Sequence, residues 1–346
     1  MPTRHTPSRR LKRLTVALTA LAALTAAPVH AAEKITLMVG GINYIIYLPA
    51  MLTQQLGYFR EEGLDVTLLS QPSGSSAENE LLAGSVQGVV GFYDHCVDLQ
   101  AKGKALQSVV QLGSAPGTVL LVSQKSPDIT RAAALKGQTL GVTGLGSSSD
   151  FLTQYTAIKA GLKPGDFSVL PVGGGQTFIA AMQQGRIAAG MTIDPTATEM
   201  VRTGQARVLV DMRTESGARQ ALGGAYPAAS LYLSADWIKT HGSEVQKLTR
   251  AFVRTLQFIH THSAEQIADR MPADYYGGDK ARYVEALKAS LGTFSANGLM
   301  PADGPATVLQ VLSAFKPQVK AAHIDLSRTY TTAYVQAALK SRPESH

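Results

Sequence analysis

Short apolar segments with the composition of β-strands alternate with helical patterns along most of this chain. Such segments occur at residues 35–39, 65–69, 88–92, 106–112 and 118–123, and again at residues 138–143, 167–171, 187–193, 207–211 and 228–233. Clusters of glycine, proline and serine separate many of them from the stretches with helical spacing. A regular alternation of strand and helix predicts an α/β fold whose sheets are mostly parallel and flanked by helices.

The first 31 residues have the three parts of a secretory signal peptide. An apolar run covers about residues 14–27, and small residues, Val29 and Ala31, stand at positions −3 and −1 of a signal peptidase site. The basic segment before the run contains Arg4, Arg9, Arg10, Lys12 and Arg13. We predict cleavage after Ala31 and export to the periplasm. Because no cysteine stands at the cleavage site, the exported protein is not expected to be a lipoprotein.

Two of the apolar segments are predicted to cross between two lobes. Turn-forming residues 113–117 precede the segment 118–123, and residues 223–227 precede the segment 228–233. Since about 315 residues follow the predicted signal peptide, more than one hydrophobic core is expected. We predict one lobe from residues 32–118 and 224–346, a second lobe from residues 119–223, and a hinge that the chain crosses twice.

The charge of the chain argues against a nucleic-acid partner. The sequence carries 32 basic and 25 acidic residues, a formal net charge of +7. Five of the 32 basic residues lie in the predicted signal peptide, which leaves a net charge of +2 and no basic run interleaved with aromatic residues. The single cysteine, Cys96, cannot form an internal disulfide and is interpreted as a small buried apolar residue.

Five segments of the chain resemble one family of exported proteins. They are ITLMVGGINYIIYLPAMLTQQLGYFREEGLDVTLL at residues 35–69, GVVGFYDHCVDLQAKGK, LKGQTLGVTGLGSSSDFLTQYTAIKAGL, GGGQTFIAAMQQGRIAAGMTIDP and YPAASLYLSADWIKTH, in that order. Together they resemble solute-binding proteins of the nitrate, sulfonate and taurine type, which are periplasmic receptors for ABC importers related to the binders of thiamine-pyrimidine precursors. The resemblance implies a two-lobed type 2 periplasmic binding protein whose cleft closes on its ligand.

Polar side chains follow several predicted strands at their carboxyl ends, where open α/β sheets bind ligands. The candidate ligand-binding residues in these positions are Asn43, Tyr44, Tyr47, Tyr93, Asp94, His95 and Asp194. The tyrosines are equally compatible with packing on a neighbouring helix, and Asp94 and Asp194 with helix capping. As a lone histidine, His95 is not expected to bind a metal.

Ser147, Ser148 and Ser149 lie between a glycine-containing loop and a predicted helix. The free N–H groups of a first helical turn attract an anion, and the resemblance implies that this loop contacts the ligand. One of the serines is also compatible with a simple cap, and the carboxylate of Asp150 would compete with a bound anion. Asp94 and Asp194 would instead suit a ligand with an amine or a ring N–H, so the sequence leaves the charge of the solute open.

Motifs of several enzyme classes are missing from the sequence. It contains no G-x-S-x-G, G-x-x-x-x-G-K-[ST] or H-E-x-x-H motif. A pyrimidine-precursor synthase shares the implied fold, but its Cys-rich motif cannot be formed with one cysteine. The sequence therefore predicts no enzymatic activity, no cofactor and no metal site.

The resemblance and the candidate residues together predict an extracytoplasmic solute receptor. It would capture a small polar organic solute, such as a sulfonate or carboxylate, and deliver it to an ABC permease with its ATPase. Two alternatives stay open: a protein that presents its ligand to a membrane sensor, and a binder of a pyrimidine-like or zwitterionic nutrient. We expect a monomer that contacts the membrane only through the permease.

Overall fold

The computed structural model describes residues 1–3 and 33–341, and the strands of this part of the chain form two five-stranded sheets. The first sheet contains β1 (Glu33–Val39), β2 (Leu64–Ser70), β3 (Gly88–Phe92), β4 (Leu106–Gln111) and β10 (Ala229–Ser234). The second contains β5 (Thr118–Ser123), β6 (Thr139–Val142), β7 (Ser168–Pro171), β8 (Ala189–Ile193) and β9 (Ala206–Asp211). The predicted cleavage site and the signal peptide after residue 3 lie outside the described residues.

Each sheet contains one strand that runs against its neighbours. The strand order is β2-β1-β3-β10-β4 in the first sheet and β7-β6-β8-β5-β9 in the second. β1 pairs in parallel with β3, and β6 pairs in parallel with β7 and β8. β10 and β5 are antiparallel to both of their neighbours. The reversed strands are therefore those at which the chain enters the second sheet and returns to the first.

Helices surround both sheets, which confirms the predicted α/β fold class. The α-helices before β10 are α1 (Leu48–Gln55), α2 (Tyr58–Glu61), α3 (Gly74–Leu82), α4 (Asp94–Gln100), α5 (Ser148–Lys159), α6 (Gln176–Gln183), α7 (Thr196–Arg202) and α8 (Glu215–Leu222). Those after β10 are α9 (Ala235–Thr240), α10 (Gly242–Thr261), α11 (Ala264–Ala268), α12 (Lys280–Ser290), α13 (Gly304–Ser313), α14 (Pro317–Ala321) and α15 (Ala333–Lys340). Short 3₁₀ helices occupy Ile45–Tyr47, Ala132–Leu135, Ala273–Tyr276, Leu291–Thr293 and Leu326–Arg328. Within the described residues, no helix is long and apolar enough to span a membrane.

The pattern of residues 48–62 predicts one helix, but the structure divides this segment into α1 and α2. Gly57 separates them with a φ of 78°. This left-handed conformation is open to glycine because it has no Cβ, and it ends the first helix. The prediction of one continuous helix is therefore wrong at this glycine.

The longest helix, α10, presents one apolar stripe to the core. The spacing of Val245, Leu248, Phe252, Leu256 and Ile259 predicts such a stripe, and all five side chains are buried. Phe252 packs edge-on against the α2 ring of Phe59, with 5.4 Å between ring centroids. The helix thereby anchors the segment that follows β1 and carries several of the candidate ligand-binding residues.

We expect Gly117→Ala to lower the free energy of unfolding by about 2 kcal/mol more than Gly137→Ala. Both glycines have a positive φ, 65° and 76°, so alanine is strained at either position. A Cβ atom added at Gly117 would also lie 2.3 Å from Cγ2 of Ile46. A Cβ atom added at Gly137 would have no neighbouring atom within 4 Å. Urea denaturation of both variants measures the difference, and equal losses would contradict the tight packing assigned to Gly117.

Candidate functional site

A small cavity lies where the loops of the two sheets meet. From the side of the first sheet it is lined by Gly40, Tyr44, Tyr47, Gly74 and Phe92, and from the side of the second by Thr118, Thr143, Ser147, Ser148, Ser149 and Ile193. Gly40, Phe92, Thr143 and Ile193 mark the carboxyl ends of β1, β3, β6 and β8, the edge at which α/β sheets bind ligands. The cavity volume is about 20 Å³, enough for one water-sized group. A larger ligand requires the two walls to move apart.

Tyr44 connects the two walls of the cavity. Its hydroxyl lies 3.4 Å from the carbonyl oxygen of Pro72, and a Cβ at Gly174, after β7, would lie 2.2 Å from the same hydroxyl. Burial raises the pKa of Tyr44 to about 12, so it remains a neutral phenol at physiological pH. Tyr47, which is also buried, contacts Phe92 edge-on with 6.2 Å between ring centroids. Aromatic rings thus form the first wall.

The serine loop places its hydroxyl groups on partners within the protein. Ser147 Oγ donates to the Gly144 carbonyl oxygen at 2.5 Å, and Ser149 Oγ accepts from the N–H of Thr143 at 3.0 Å. The backbone N–H groups of Ser148 and Ser149, in the first turn of α5, have no acceptor among the described residues. These two N–H groups are free donors at a helix N-terminus, a kind of group that can bind an anion. Ser147, which precedes the helix, makes no side-chain capping hydrogen bond.

Asp94 forms a hydrogen-bonded bridge between the two walls. Its Oδ1 accepts from Ser148 Oγ at 2.7 Å, and its Oδ2 accepts from the Tyr226 hydroxyl at 2.8 Å. The side chain is fully buried, and this burial raises the pKa of Asp94 above its usual value of 3.8. We call the hydrogen bonds of Asp94 with Ser148 and Tyr226 the Asp94 latch.

We expect Asp94→Asn to gain stability relative to the unmodified chain as the pH rises from about 4 to about 7. Because burial raises the folded-state pKa of Asp94, its carboxyl group adds to the stability of the folded chain below the unfolded-state pKa. This stabilisation is lost as the pH rises through the folded-state pKa. Melting temperatures of both proteins across this range measure the effect.

Asp98→Asn provides the control of opposite sign. Burial alone would raise the pKa of Asp98, but hydrogen bonds from Lys102 and Lys316 lower it below its usual value. Its contribution is therefore present above the unfolded-state pKa and is lost as the pH falls through the lowered value. The same trend in both variants would contradict the assigned environments.

The remaining candidate residues lie near the cavity but do not line it. Asn43 is exposed on the loop after β1, and the Tyr93 hydroxyl is hydrogen-bonded to Thr329 Oγ1. His95 is buried, and its Nδ1 lies 2.5 Å from Glu78 Oε2. Burial alone would lower the pKa of His95, but the nearby Glu78 carboxylate raises it above its usual value. For these residues, contact with a ligand remains a prediction.

Asp194 is held by three groups of the protein. Its Oδ1 accepts from the N–H of Thr198 at 2.8 Å, which resembles a helix cap. Its Oδ2 accepts from Ser290 Oγ at 2.8 Å and lies 3.2 Å from Arg213 Nη1. Ser290 is the last residue of α12, so this hydrogen bond connects the end of β8 to a helix that follows β10 in the chain.

Half of the sequence candidates line the cavity, namely Tyr44, Tyr47, Ser147, Ser148 and Ser149. Six further lining residues are not among the sequence candidates: Gly40, Gly74, Phe92, Thr118, Thr143 and Ile193. Most of them stand at strand ends, so the strand-end rule that selected the polar residues also applies to them. Gly40, Gly74, Phe92 and Ile193 have no polar side chain, so their residue types alone give no sign of ligand contact.

Comparison with known proteins places the chain in a family. The sequence profile described as NMT1/THI5 like matches residues 46–266, well over half of the chain. The 4-amino-5-hydroxymethyl-2-methylpyrimidine phosphate synthase THI13 of Saccharomyces cerevisiae is 30% identical over 165 residues, 47% of this chain and 46% of that protein. The aligned region thus spans about half the length of the first curated relatives that the chain matches.

Solved structures share the fold over nearly the whole described chain. A protein of Bordetella bronchiseptica RB50 superposes with a TM-score of 0.86 at 34% identity, covering 90% of this chain and 98% of that chain. The alkanesulfonate-binding protein SsuA of Xanthomonas axonopodis pv. citri, solved with bound MOPS, superposes with a TM-score of 0.66 at 20% identity, covering 88% and 100%. These matches confirm the predicted resemblance to periplasmic binding proteins of the nitrate and sulfonate type.

The prediction of no enzymatic activity is contradicted by the curated relatives. Relatives in Saccharomyces cerevisiae and Aspergillus parasiticus are named pyrimidine phosphate synthases. The sequence lacks hydrolase, P-loop and metalloprotease motifs and one Cys-rich motif. The absence of these patterns does not exclude chemistry by other residues. An enzymatic role therefore has to be tested along with binding.

Proposed function

Because the chain belongs to the NMT1/THI5-like family, we propose that it is a receptor that binds a small polar organic solute between two lobes and delivers it to an ABC permease. The observation that carries this proposal is the small cavity whose two walls come from the loops of different sheets and are joined by the Asp94 latch. A site divided between two separate sheets suits a ligand whose binding brings those sheets together.

The proposed mechanism is closure of two lobes on the solute. The lobes would comprise residues 32–118 with 224–346, and residues 119–223, and the chain would cross between them before β5 and before β10. Only the closed form allows a ligand to contact both walls, so the ligand would favour that form by its extra contacts. The Asp94 latch and the hydrogen bond from Ser290 to Asp194 would then form on closure.

The chemistry of the walls supports a small, polar and partly aromatic or aliphatic ligand. The described residues of the lining combine the rings of Tyr44, Tyr47 and Phe92 with hydroxyl groups, and none of them is a lysine, arginine or histidine. Within the same part of the chain, two backbone N–H groups of the lining have no acceptor. Sulfonate or carboxylate oxygens could accept from the N–H groups of α5. A pyrimidine-like or zwitterionic compound could instead donate an amine hydrogen to Asp94.

Export, permease docking and a monomeric state belong to the same proposal. The signal-peptide pattern of residues 1–31 supports a periplasmic location. A receptor of this kind would reach the membrane only by docking its closed form on the permease, whose ATPase would drive import. Presentation of the closed form to a membrane sensor is the alternative, and loss of solute uptake on deletion of the gene would favour the permease.

A thermal-shift screen of the chain from Ala32 onward tests the proposal. The compounds should include alkanesulfonates, MOPS, small carboxylates, taurine and 4-amino-5-hydroxymethyl-2-methylpyrimidine. A ligand of the folded state raises the melting temperature by mass action, by about 2.7 kcal/mol of stability at a concentration 100 times Kd. A dose-dependent shift with recovery of the unchanged compound supports a receptor. No shift with any compound, or conversion of a compound, would contradict it.

A further inference from the structure

We propose that Thr118 contacts the bound solute through its hydroxyl group, an inference that rests on the proposed receptor function. Thr118 is the first residue of β5 and lines the cavity beside the serine loop. Its side chain is 1% exposed, and Oγ1 has no hydrogen-bond partner among the described residues. Buried hydroxyl groups are normally paired, so an unpaired one that lines a ligand cavity indicates a partner supplied by the ligand.

The other hydroxyl groups of the second wall are already paired. Thr143 Oγ1 lies 2.8 Å from Ser149 Oγ and 3.0 Å from Ser147 Oγ, and Ser148 Oγ donates to Asp94. Among the described residues of this wall, Thr118 is therefore the threonine or serine whose hydroxyl group remains available. A ligand that used the serine hydroxyls would first have to break this network, whereas Thr118 requires no rearrangement.

The backbone holds Thr118 in a fixed position. Thr118 is paired with Ile193 in the β5–β8 ladder, and its carbonyl oxygen accepts from the N–H of Met212 at 2.9 Å. A hydroxyl on such a rigid strand can select a ligand by the position of one polar atom. Because a hydroxyl both donates and accepts, that atom can be a sulfonate, carboxylate or carbonyl oxygen, a ring nitrogen, or an amine.

Thr118→Val tests this inference because valine keeps the shape of threonine and removes only the hydroxyl. Thr249→Val is the matched control: Thr249 is fully buried in α10, its Oγ1 also lacks a partner among the described residues, and it does not line the cavity. Calorimetric titrations use two probes, MOPS and 4-amino-5-hydroxymethyl-2-methylpyrimidine. Melting temperatures without a probe are recorded for all three proteins.

One or both probes should bind the unmodified chain. For such a probe, we expect Thr118→Val to lower the affinity by about 5- to 100-fold. Thr249→Val should change affinity less than twofold, and neither variant should melt below the unmodified chain.

Unchanged affinity in Thr118→Val would overturn the inference but leave the receptor function intact. A lowered melting temperature with unchanged affinity would also overturn it, because the hydroxyl would then have a structural partner such as a buried water. Failure of the unmodified chain to bind either probe would overturn the receptor function for these compounds, and this inference with it.

Discussion

Replacing Arg213 by methionine is expected to lower the free energy of unfolding by about 3–5 kcal/mol, because it leaves a buried carboxylate without its cation. Asp194 is completely buried, and Arg213 Nη1 lies 3.2 Å from its Oδ2. The guanidinium also binds Asp211, with 2.5 Å between Nη2 and Oδ2. These contacts, above all the hydrogen bond with Asp211, raise the pKa of Arg213. Methionine retains much of the side-chain volume, so the loss should reflect charge rather than a cavity.

Two further variants make this expectation specific. Arg219→Met removes exposed ion pairs with Glu215 and Asp303 and should change the unfolding midpoint little, because exposed pairs contribute weakly. Adding Asp194→Asn to Arg213→Met should recover part of the loss, because the uncompensated charge at position 194 is then removed. Urea denaturation measures all of them, and equal midpoints for Arg213→Met and Arg219→Met would contradict the buried network.

The second large effect is expected for Asp94→Ala, which should weaken solute binding by about 100-fold. The substitution removes the acceptor for Ser148 Oγ and for the Tyr226 hydroxyl, and each hydrogen bond to a charged group contributes about 1.5–3 kcal/mol. Because Ser148 lies on the opposite wall, the closed form should lose more stability than the open form. The melting temperature should fall as well, since the Tyr226 hydroxyl would be buried without its partner.

Asp94→Asn separates the latch from the charge of Asp94. Its amide oxygen can still accept from Ser148, so affinity should return to within about tenfold of the unmodified chain. Titration with MOPS and with 4-amino-5-hydroxymethyl-2-methylpyrimidine provides the measurement. If Asp94→Ala and Asp94→Asn weaken solute binding equally, the carboxylate acts on the ligand by its charge. The assignment of Asp94 as a hydrogen-bonded latch would then be wrong.

The sequence was sufficient to predict the fold class because strand and helix patterns have different periods. The apolar segments at residues 88–92 and 187–193 correspond to β3 and β8, and the stripe of residues 243–260 corresponds to α10. The division at Gly57 was missed because apolar residues continue on both sides of the glycine. The periodicity of the neighbours does not reveal whether one glycine adopts a left-handed conformation.

The candidate site was only partly predictable for a related reason. The loops after β1 and β6 were selected because they follow strands, and Tyr44, Tyr47 and the three serines line the cavity. Thr118 instead begins its strand, and its position becomes clear only once β5 is known to run antiparallel to β8. The bridge from Asp94 to Tyr226 joins residues 132 positions apart, a separation for which a single sequence carries no local signal.

The most direct test is a crystal structure of the chain from Ala32 onward with the compound that gives the largest thermal shift. We expect electron density for the unchanged compound between Tyr47, Thr118 and Ser148, with the Asp94 latch formed. Density in the separate groove between α7 and α12, lined by Val201 and Glu285 among others, would contradict the proposed site. Density for a chemically altered compound in the cavity would contradict the receptor function.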